Sequence, residues 1–276
     1  MAAFNSEYVL DGFDLTEENQ RWFVMEGTSI PELGAPSLPS VTLPGRWGVL
    51  PLPVHGYGAS QITLKMMVTD ARDGVIGKGG RQFLDINWQL LMSRLHRPGL
   101  MTLQHRAPSW SWGRQCRVRL KSISTPKISY GDGNNIIEVT VVFENVDGYW
   151  RDPGPREMKA ADLSQISGGS APIVDARFLI VPEAGKSVKV TDNVSGTWFS
   201  WSGNLKPGEM ILVEPGDYVA SLLKAKSFER SGEWRMPSRQ LSQHDSGFAL
   251  WPNHWGQYSC TAVGGDVTVQ AGRAYA

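Results

Sequence analysis

The chain has 276 residues and equal numbers of acidic and basic side chains, 27 of each, so its formal net charge is zero. This length exceeds one small sandwich and suits two domains. The lack of bulk charge argues against nucleic acid or a membrane surface as the partner of the whole chain. The 30 glycines and 17 prolines separate short segments rich in Val, Ile, Leu, Trp and Thr, a composition that predicts a mainly β fold.

The sequence gives no sign of a metal, a disulfide or a membrane span. Cys116 and Cys260 lie far apart, and neither has a Cys or His neighbour at metal-ligand spacing. We therefore predict no disulfide framework, no metal and no cofactor. The opening residues MAAFNSEYVLDGFDL carry acids where a signal peptide has bases, and no window approaches about 18 apolar residues. We expect a chain that is neither secreted nor inserted in a membrane.

Three segments of the first half alternate apolar and polar residues, which is the pattern of half-buried strands. They are Ser60 to Thr69, Cys116 to Ile123 and Ile136 to Glu144. The turn signal Tyr130-Gly-Asp-Gly-Asn-Asn135 lies between the last two segments, so we predict an antiparallel pair joined by a loop at 124–135. Such a pair would bring Glu138 and Glu144 near the basic residues of Cys116 to Ile123.

One segment of the first half is typical of an amphipathic helix. Between Phe83 and Leu95 apolar residues recur at helical spacing, and Pro98-Gly99 ends the pattern. The apolar residues are Leu84, Trp88, Leu91 and Leu95. This stripe must pack on a sheet, because the segment has no second helix to cover it. We predict a first domain over 1–152, a β-sandwich or split barrel with one α-helix.

The segment 153–172 loses the alternation and is bracketed by Pro-Gly-Pro and Gly-Gly-Ser, which predicts a linker. Short strand candidates follow at regular spacing, separated by turn residues. They are Ala176 to Val181, Ser187 to Thr191, Thr197 to Trp201, Met210 to Val213, Tyr218 to Leu223 and Asp266 to Gln270. This pattern predicts a second domain over 173–276, a β-sandwich.

The sequence lacks the signatures of common catalytic sites, namely a Gly-x-Ser-x-Gly elbow, a Walker loop and a His-Glu-x-x-His motif. His244-Asp245-Ser246 contains three triad residue types, but a triad converges across the fold, so we interpret it as a polar loop. Gly77-Lys-Gly-Gly80 lacks the remaining phosphate-loop spacing and is interpreted as a mobile loop. No two histidines have the spacing of a ligand pair. We nominate no catalytic, cofactor-binding or metal-binding residue and predict no enzyme activity.

The 11 tryptophans support two interpretations. Packing in the core or at an interface is favoured, and exposed indoles that hold a sugar ring are the alternative. Trp198 and Trp201 are three residues apart, so a strand points them to opposite faces and at most one lies in the core. Further candidates are Trp110, Trp112, Trp251 and Trp255.

Charge is distributed unevenly within the predicted first domain. Residues 1–32 carry seven acids and a single base, Arg21, whereas residues 86–131 carry eight bases and no acid. Neutralisation within the domain, a head-to-tail interface between the subunits of a ring and a basic lumen facing DNA all remain open. The candidate residues for a ring interface are Asp14, Glu17, Glu18, Arg114, Arg117, Arg119 and Lys121.

Several segments occur in a characteristic order along nearly the whole chain. In the first half they are Leu10-Asp-Gly-Phe-Asp-Leu15, Leu43-Pro-Gly-Arg-Trp-Gly48, the helix at 83–95 and Val139-Thr-Val-Val-Phe-Glu-Asn-Val-Asp-Gly-Tyr-Trp150. In the second half they are Val190-Thr-Asp-Asn-Val-Ser-Gly196 and Trp201-Ser-Gly-Asn-Leu-Lys-Pro-Gly208. This order resembles the distal tail protein (Dit) family of siphophages. The resemblance implies an N-terminal ring-forming domain and a C-terminal galectin-like β-sandwich.

The resemblance also implies a function, that of a non-enzymatic structural protein at the distal end of the phage tail. A homohexameric ring would join the tail tube protein to the tail-tip hub, a tail-associated lysin or a receptor-binding protein. Genomic DNA and the tape-measure protein would pass through its lumen. The galectin motifs His-x-Asn-Pro-Arg and Trp-Gly-x-Glu-Arg are absent, and only Gly232-Glu-Trp-Arg235 is remotely similar, so sugar binding does not follow from the fold. A carbohydrate-binding adhesin of the tail is the alternative function, and nothing in the sequence favours a wall hydrolase.

Overall fold

The computed structural model divides the chain into two compact units. The first comprises 1–35 and 57–153, and the second comprises 36–56 and 154–276. The residues that the structure describes are 7–16, 19–25, 28, 40–41, 50–51, 58–106, 113–131, 134–183, 187–203, 205–206, 208–223, 228 and 240–275.

Up to residue 151 the described strands are β1 to β11. In chain order they are Glu7–Leu10, Phe13–Asp14, Trp22–Val24, Ser40–Val41, Leu50–Pro51, Ser60–Thr69, Met101–Arg106, Arg114–Ile123, Lys127–Gly131, Asn134–Asn145 and Trp150–Arg151. β4 pairs with β5. The others form the sheet of the first unit, in the order β2-β1-β7-β8-β10-β6-β3, with β9 beside β10 and β11 beside β8. The three strands predicted from alternation are therefore confirmed as β6, β8 and β10.

The centre of this sheet is the antiparallel pair of β6 and β10, which stays in register from Ser60 opposite Asn145 to Thr69 opposite Ile136. Alternation puts the apolar residues of both strands on one face, where they are buried. They are Ile62, Leu64, Met66, Val68, Ile137, Val139, Val141 and Phe143. Each contributes about 1.5–3 kcal/mol by leaving water, so this pair holds the core of the first unit.

The helix α1, Gly80–Leu95, packs on β6 and β10 and begins three residues before the predicted start. Its buried residues are Leu84, Asn87, Leu91 and Leu95. The prediction that Trp88 belongs to the buried stripe is wrong, because Trp88 is half-buried and Asn87 is buried in its place. The Asn87 amide nitrogen donates to the carbonyl oxygens of Thr69 (2.9 Å) and Ala71 (3.0 Å). This buried polar side chain therefore supplies the hydrogen bonds that the backbone needs at the end of β6.

Replacing Asn87 with alanine is expected to lower the free energy of unfolding by about 1–3 kcal/mol, because two buried carbonyl groups lose their donor. Urea denaturation followed by circular dichroism measures the change. Gln89→Ala, at an exposed position of the same helix, is the control and should shift the stability by less than about 0.5 kcal/mol. Equal losses in the two variants would contradict the role assigned to the Asn87 amide.

The predicted loop at 124–135 contains a strand. β9 forms a hairpin with β10, and Lys127 lies opposite Glu138. The prediction missed β9 because Pro126 and a run of polar residues hide its short alternation. Glu138 consequently neighbours Lys127 on β9 and not the basic residues of β8, whereas Glu144 lies opposite Arg119 as predicted.

From residue 154 onward the described strands are β12 to β21, with 3-10 helices at Ala160–Gln165 and Pro215–Asp217. The strands are Arg156–Lys159, Arg177–Pro182, Val188–Asp192, Trp198–Trp201, Met210–Glu214, Val219–Leu223, Leu241–Gln243, Cys260–Val263, Gly265–Ala271 and Ala274–Tyr275. One sheet has the order β12-β20-β13-β16-β17, and a second has the order β18-β15-β14-β19. All six strands predicted for this region are present within two residues of their predicted ends.

Three phenylalanine rings join the two sheets of the second unit. Phe178 on β13 meets Phe199 on β15 edge to face, with ring centroids 4.9 Å apart, and Phe248 lies 5.4 Å and 5.0 Å from them. Such edge-to-face pairs add to the free energy gained by burial. The second unit is thus a β-sandwich, and the predicted mainly β fold class is confirmed.

The segment 153–172 is not a bare linker. It contains β12, which pairs with β20 from Arg156 opposite Ala271 to Lys159 opposite Thr268, and the 3-10 helix that follows. Sequence reasoning missed β12 because Arg-Glu-Met-Lys has a single apolar residue and cannot show alternation. Its Pro and Gly neighbours are turn residues at the ends of short elements.

Candidate interaction surfaces

The outer face of β8 carries the basic residues predicted for a ring interface. Arg117, Arg119 and Lys121 are exposed, whereas Cys116 and Val118, which alternate with them, are buried. Arg117 meets Asp147, whose side chain is only 3% exposed: Nη2 lies 2.7 Å from Oδ1, and the backbone amide of Arg117 donates to Oδ2 at 2.8 Å. Arg151 approaches the same carboxylate at 3.9 Å. Asp147 therefore ties β8 to the turn after β10.

Arg119 forms an ion pair with Glu144 on the neighbouring strand β10, the contact that the alternation predicts. The hydrogen bond from Arg119 holds the pKa of the Glu144 carboxyl below its usual value. Both groups face water, so the pair adds little to stability. Arg117 and Arg119 are thus partnered within their own chain.

The acidic segment also meets the basic segment inside the first unit. Asp11 lies 3.8 Å from Arg97 and accepts a hydrogen bond from the backbone amide of Thr102 at 2.7 Å. Asp14 is exposed, whereas Glu17 and Glu18 lie outside the described residues. Neutralisation within the unit accounts for these three basic side chains, Arg97, Arg117 and Arg119. The ring interface itself stays a prediction.

Apolar side chains add to the exposed surface of the first unit. Ile86 and Leu90 are one helical turn apart on α1 and are 40% and 38% exposed, and Ile128 and Tyr130 project from β9. The Arg81 guanidinium lies 5.3 Å from the centre of the Tyr130 ring. Ile86 and Leu90 are adjacent on one helix face and are therefore candidates for a contact.

A buried cluster with titratable groups lies where β1, β7 and β8 meet. The His105 ring stacks on Tyr8 with centroids 4.4 Å apart and meets Trp150 edge-on at 6.1 Å. Burial, with a smaller effect of Arg114, lowers the pKa of His105, and burial raises the pKa of Tyr8 to about 12. Sequence reasoning did not single out His105, although Met101, Leu103 and His105 alternate on one face of β7.

The lowered pKa of His105 makes stability depend on pH. The unfolded histidine takes up a proton near pH 6.5, whereas the folded one stays neutral to a lower pH, so the unfolded chain binds more protons in that window. The free energy of unfolding is therefore expected to fall as pH drops below about 6.5. Urea titrations from pH 8 to 5 measure it. His105→Phe should flatten this slope, and equal slopes in wild type and His105→Phe would contradict this assignment.

The His244 to Ser246 segment forms a local polar turn, with His244 Nδ1 2.7 Å from Ser246 Oγ and the Gly247 amide donating to the His244 carbonyl. In the 77–80 loop, the Gly77 amide donates to the buried Asp70 carboxylate at 2.8 Å, so it is not free to bind a phosphate. Within the described part of the chain, no cluster of three potential metal ligands occurs. No helix described there has the length and apolarity to cross a membrane.

Asp192 is a buried carboxylate in the second unit, and it organises a turn. Its oxygens accept hydrogen bonds from the amide and hydroxyl of Ser195, both at 2.7 Å, and from the Trp251 amide at 3.2 Å. Burial raises its pKa, and these hydrogen bonds oppose that shift. Burial, with a smaller effect of Asp192, raises the pKa of the Cys260 thiol to about 12. The hydrogen bond from the Trp251 amide to Asp192 holds the end of β14 to the segment before Pro252.

Trp198 and Trp201 lie on opposite faces of β15, as their spacing along the strand predicts. Trp201 is buried, and Trp198 lies on the opposite face of β15 beneath the Lys189 ammonium at 4.7 Å. Trp251 is half-buried, and Trp255 is exposed at the tip of a loop. Trp110, Trp112 and the segment Gly232 to Arg235 lie outside the described residues.

Comparison with known proteins gives a structural match. No family model matches the chain, and no curated protein matches it. The chain is similar in fold to the SPP1 Dit (gp 19.1) protein, described as a paradigm of the hub adsorption apparatus in Gram-positive infecting phages, with a TM-score of 0.58 and 15% identity over 98% of this chain and 99% of that one. Chains of the phage P2 baseplate in its activated conformation, with Ca and with Sr, are 12% identical over 97% of this chain and 98% of theirs, with TM-scores of 0.40. The resemblance inferred from the sequence is thereby confirmed at the level of fold.

Proposed function

We propose that the chain is a structural, non-enzymatic subunit of a phage tail tip. Six copies form a ring that joins the tail tube to the tail-tip hub, a tail-associated lysin or receptor-binding proteins, and genomic DNA and the tape-measure protein pass through its lumen. In this proposal residues 1–152 form the ring, residues 153–172 connect the two domains, and residues 173–276 form a galectin-like domain that faces outward. The protein lies at the distal end of the tail.

The observation that carries this proposal is the fold shared with the SPP1 hub protein over the full length of both chains. A likeness that includes both units and their order supports a common architectural role more strongly than a shared sandwich would, since sandwiches host many functions. That protein is described as a hub of an adsorption apparatus, and the tail-tip role proposed for this chain follows from this similarity.

The ring contact is proposed to use the first unit. Its apolar helix face, Ile86 and Leu90, supplies area that leaves water on assembly. The candidate charges are Asp14, Glu17, Glu18, Arg114, Arg117, Arg119 and Lys121. A heterologous contact of this kind closes a ring when the rotation that relates neighbouring subunits is a whole-number fraction of 360°. Arg117 is a poor probe of assembly, because reversing its charge would place an acid beside the buried Asp147.

Replacing both Ile86 and Leu90 with aspartate is expected to reduce the assembly to monomers, because two charges would have to enter the contact without partners. Light scattering coupled to size-exclusion chromatography gives the mass, and circular dichroism checks the fold. The control carries aspartate at Gln165 and Ser242, two exposed positions of the second unit, and should keep the wild-type mass. A wild-type mass for the Ile86, Leu90 variant would exclude the helix face from the contact.

The location in the virion is tested with an antibody against the chain. Immunogold label is expected at one end of the tail in negative-stain images of virions, at the end away from the capsid. Label along the tail tube or on the capsid would contradict a tail-tip subunit.

A further inference from the structure

The loop 252–258 of the second unit displays an indole ring to solvent. Trp255 is 73% exposed, more than any other large apolar side chain among the described residues. The His254 ring lies beside it, with centroids 4.6 Å apart and planes tilted by 47°. Tryptophan is highly buried on average in folded proteins, so this exposed indole is a candidate binding surface.

The loop is held rigidly by one side chain at its start. Asn253 Oδ1 accepts hydrogen bonds from the backbone amides of Trp255 at 2.9 Å and Gln257 at 3.0 Å. The backbone amide of Asn253 donates to the backbone carbonyl of Gln257 at 2.9 Å, and the backbone amide of Gly256 donates to the backbone carbonyl of Asn253 at 2.8 Å. The backbone on both sides of Trp255 is therefore fixed without help from the indole.

The base of the loop is anchored to the segment 169–171. Tyr258 is fully buried, and its hydroxyl donates to the Ala171 carbonyl at 2.7 Å. The Gly169 amide donates to the Gly256 carbonyl at 3.2 Å. Gly256 has φ +73°, and a Cβ there would lie 2.8 Å from the Gly169 carbonyl oxygen, so only glycine suits this position. Trp255 consequently stands on a preorganised support, which lowers the entropic cost of binding a ligand.

The chemistry around the indole is neutral and polar. Residues 251–259, Trp-Pro-Asn-His-Trp-Gly-Gln-Tyr-Ser, include no Asp, Glu, Lys or Arg. His254 precedes Trp255 and Gln257 follows it by two residues; both side chains are exposed, and both carry groups that bond to hydroxyls. A flat apolar ring flanked by neutral hydrogen-bonding groups matches a pyranose, which has an apolar C–H face and a rim of hydroxyl groups.

A protein partner matches this surface less well. A stable protein interface buries about 800 Å² on each side around an apolar centre. The other exposed large apolar side chains described in the second unit lie outside the loop 252–258, at Val174, Val181, Val194, Tyr218 and Val263. One indole covers a sugar ring but provides only a small part of such an interface.

We propose that the loop 252–258 is a binding site for neutral saccharides, with Trp255 as the stacking surface and His254 and Gln257 as hydrogen-bonding partners. The site is independent of the tail-tip assembly, since it uses residues of the second unit alone. It also does not depend on the galectin sugar motifs, which the chain lacks.

Saturation-transfer NMR and calorimetry on the full-length chain test the site, with chitotriose and maltotriose as neutral probes and trigalacturonic acid as a charged comparison. We expect saturable binding of at least one neutral probe. Trp255→Ala should weaken that binding about tenfold or more, which corresponds to about 1.4 kcal/mol, and Trp255→Phe should weaken it less. Tyr130→Ala, which removes an exposed ring of the first unit, is the control and should bind like wild type.

Two results would overturn the saccharide site: no saturable binding of either neutral probe, or unchanged binding by Trp255→Ala. Loss of co-assembly with another tail protein in Trp255→Ala, without saccharide binding by wild type, would identify the loop as a protein contact and reject the sugar. The mass of each variant is measured on the same samples. A wild-type assembly that binds no sugar rejects this site alone and leaves the proposed tail-tip function intact.

Discussion

Replacing Phe199 with alanine is expected to lower the free energy of unfolding of the second unit by about 4 kcal/mol. Phe199 is fully buried and contacts both Phe178 and Phe248. Its removal leaves a cavity between two sheets whose strands are held by hydrogen bonds and cannot close over it. Urea denaturation followed by tryptophan fluorescence, with Trp201 on the same strand as a reporter, measures the change.

The control for this prediction is the neighbouring residue. Trp198→Ala removes a larger ring from the opposite face of β15, where the Lys189 ammonium covers it, and should cost about 1 kcal/mol. The double variant with Phe248→Ala should show a coupling of about 1 kcal/mol between the two rings. A Trp198→Ala loss equal to that of Phe199→Ala would contradict a core that lies between the two sheets.

Replacing Asp147 with alanine should destabilise the first unit by about 2–3 kcal/mol, because the carboxylate is buried and accepts charge-assisted and backbone hydrogen bonds from Arg117. Arg151 also loses its nearby counter-ion. Chemical denaturation followed by circular dichroism measures the loss.

Glu144→Ala is the matched control, since it removes an acid paired with the exposed Arg119 on the same sheet. Its effect should be clearly smaller, because water screens that pair. In an Asp147→Ala background, Arg117→Ala should add little further loss. Equal destabilisation by the two single substitutions would contradict the anchoring role of Asp147.

Much of the sheet in the first unit follows from alternation alone. The period-two patterns of β6, β8 and β10 predict their inward faces, and the placement of Glu144 beside Arg119 follows from pairing them. The buried partners of polar groups were not predictable, because burial depends on contacts distant in sequence. In the sequence Asn87 is an ordinary polar helix residue, because the carbonyl group that it binds belongs to Thr69, 18 residues earlier.

The candidate surfaces, too, were predictable where they depend on alternation and not where they depend on contacts distant in sequence. The sequence predicts that Trp198 and Trp201 face opposite sides, and the structure agrees. Apolar periodicity does not rank Trp255 above the other tryptophans, since its exposure results from the anchored loop. The Pro252, Asn253 and Gly256 pattern is a signal for that turn, and a close reading of it would have placed Trp255 at a tip.

The number of subunits in the assembly tests the tail-tip proposal most directly. Native mass spectrometry of the full-length chain, with class averages of negatively stained particles, is expected to show six copies in a closed ring with an open centre. A chain that stays monomeric at the highest soluble concentration, or that forms an open filament or a closed dimer, would contradict the proposed ring.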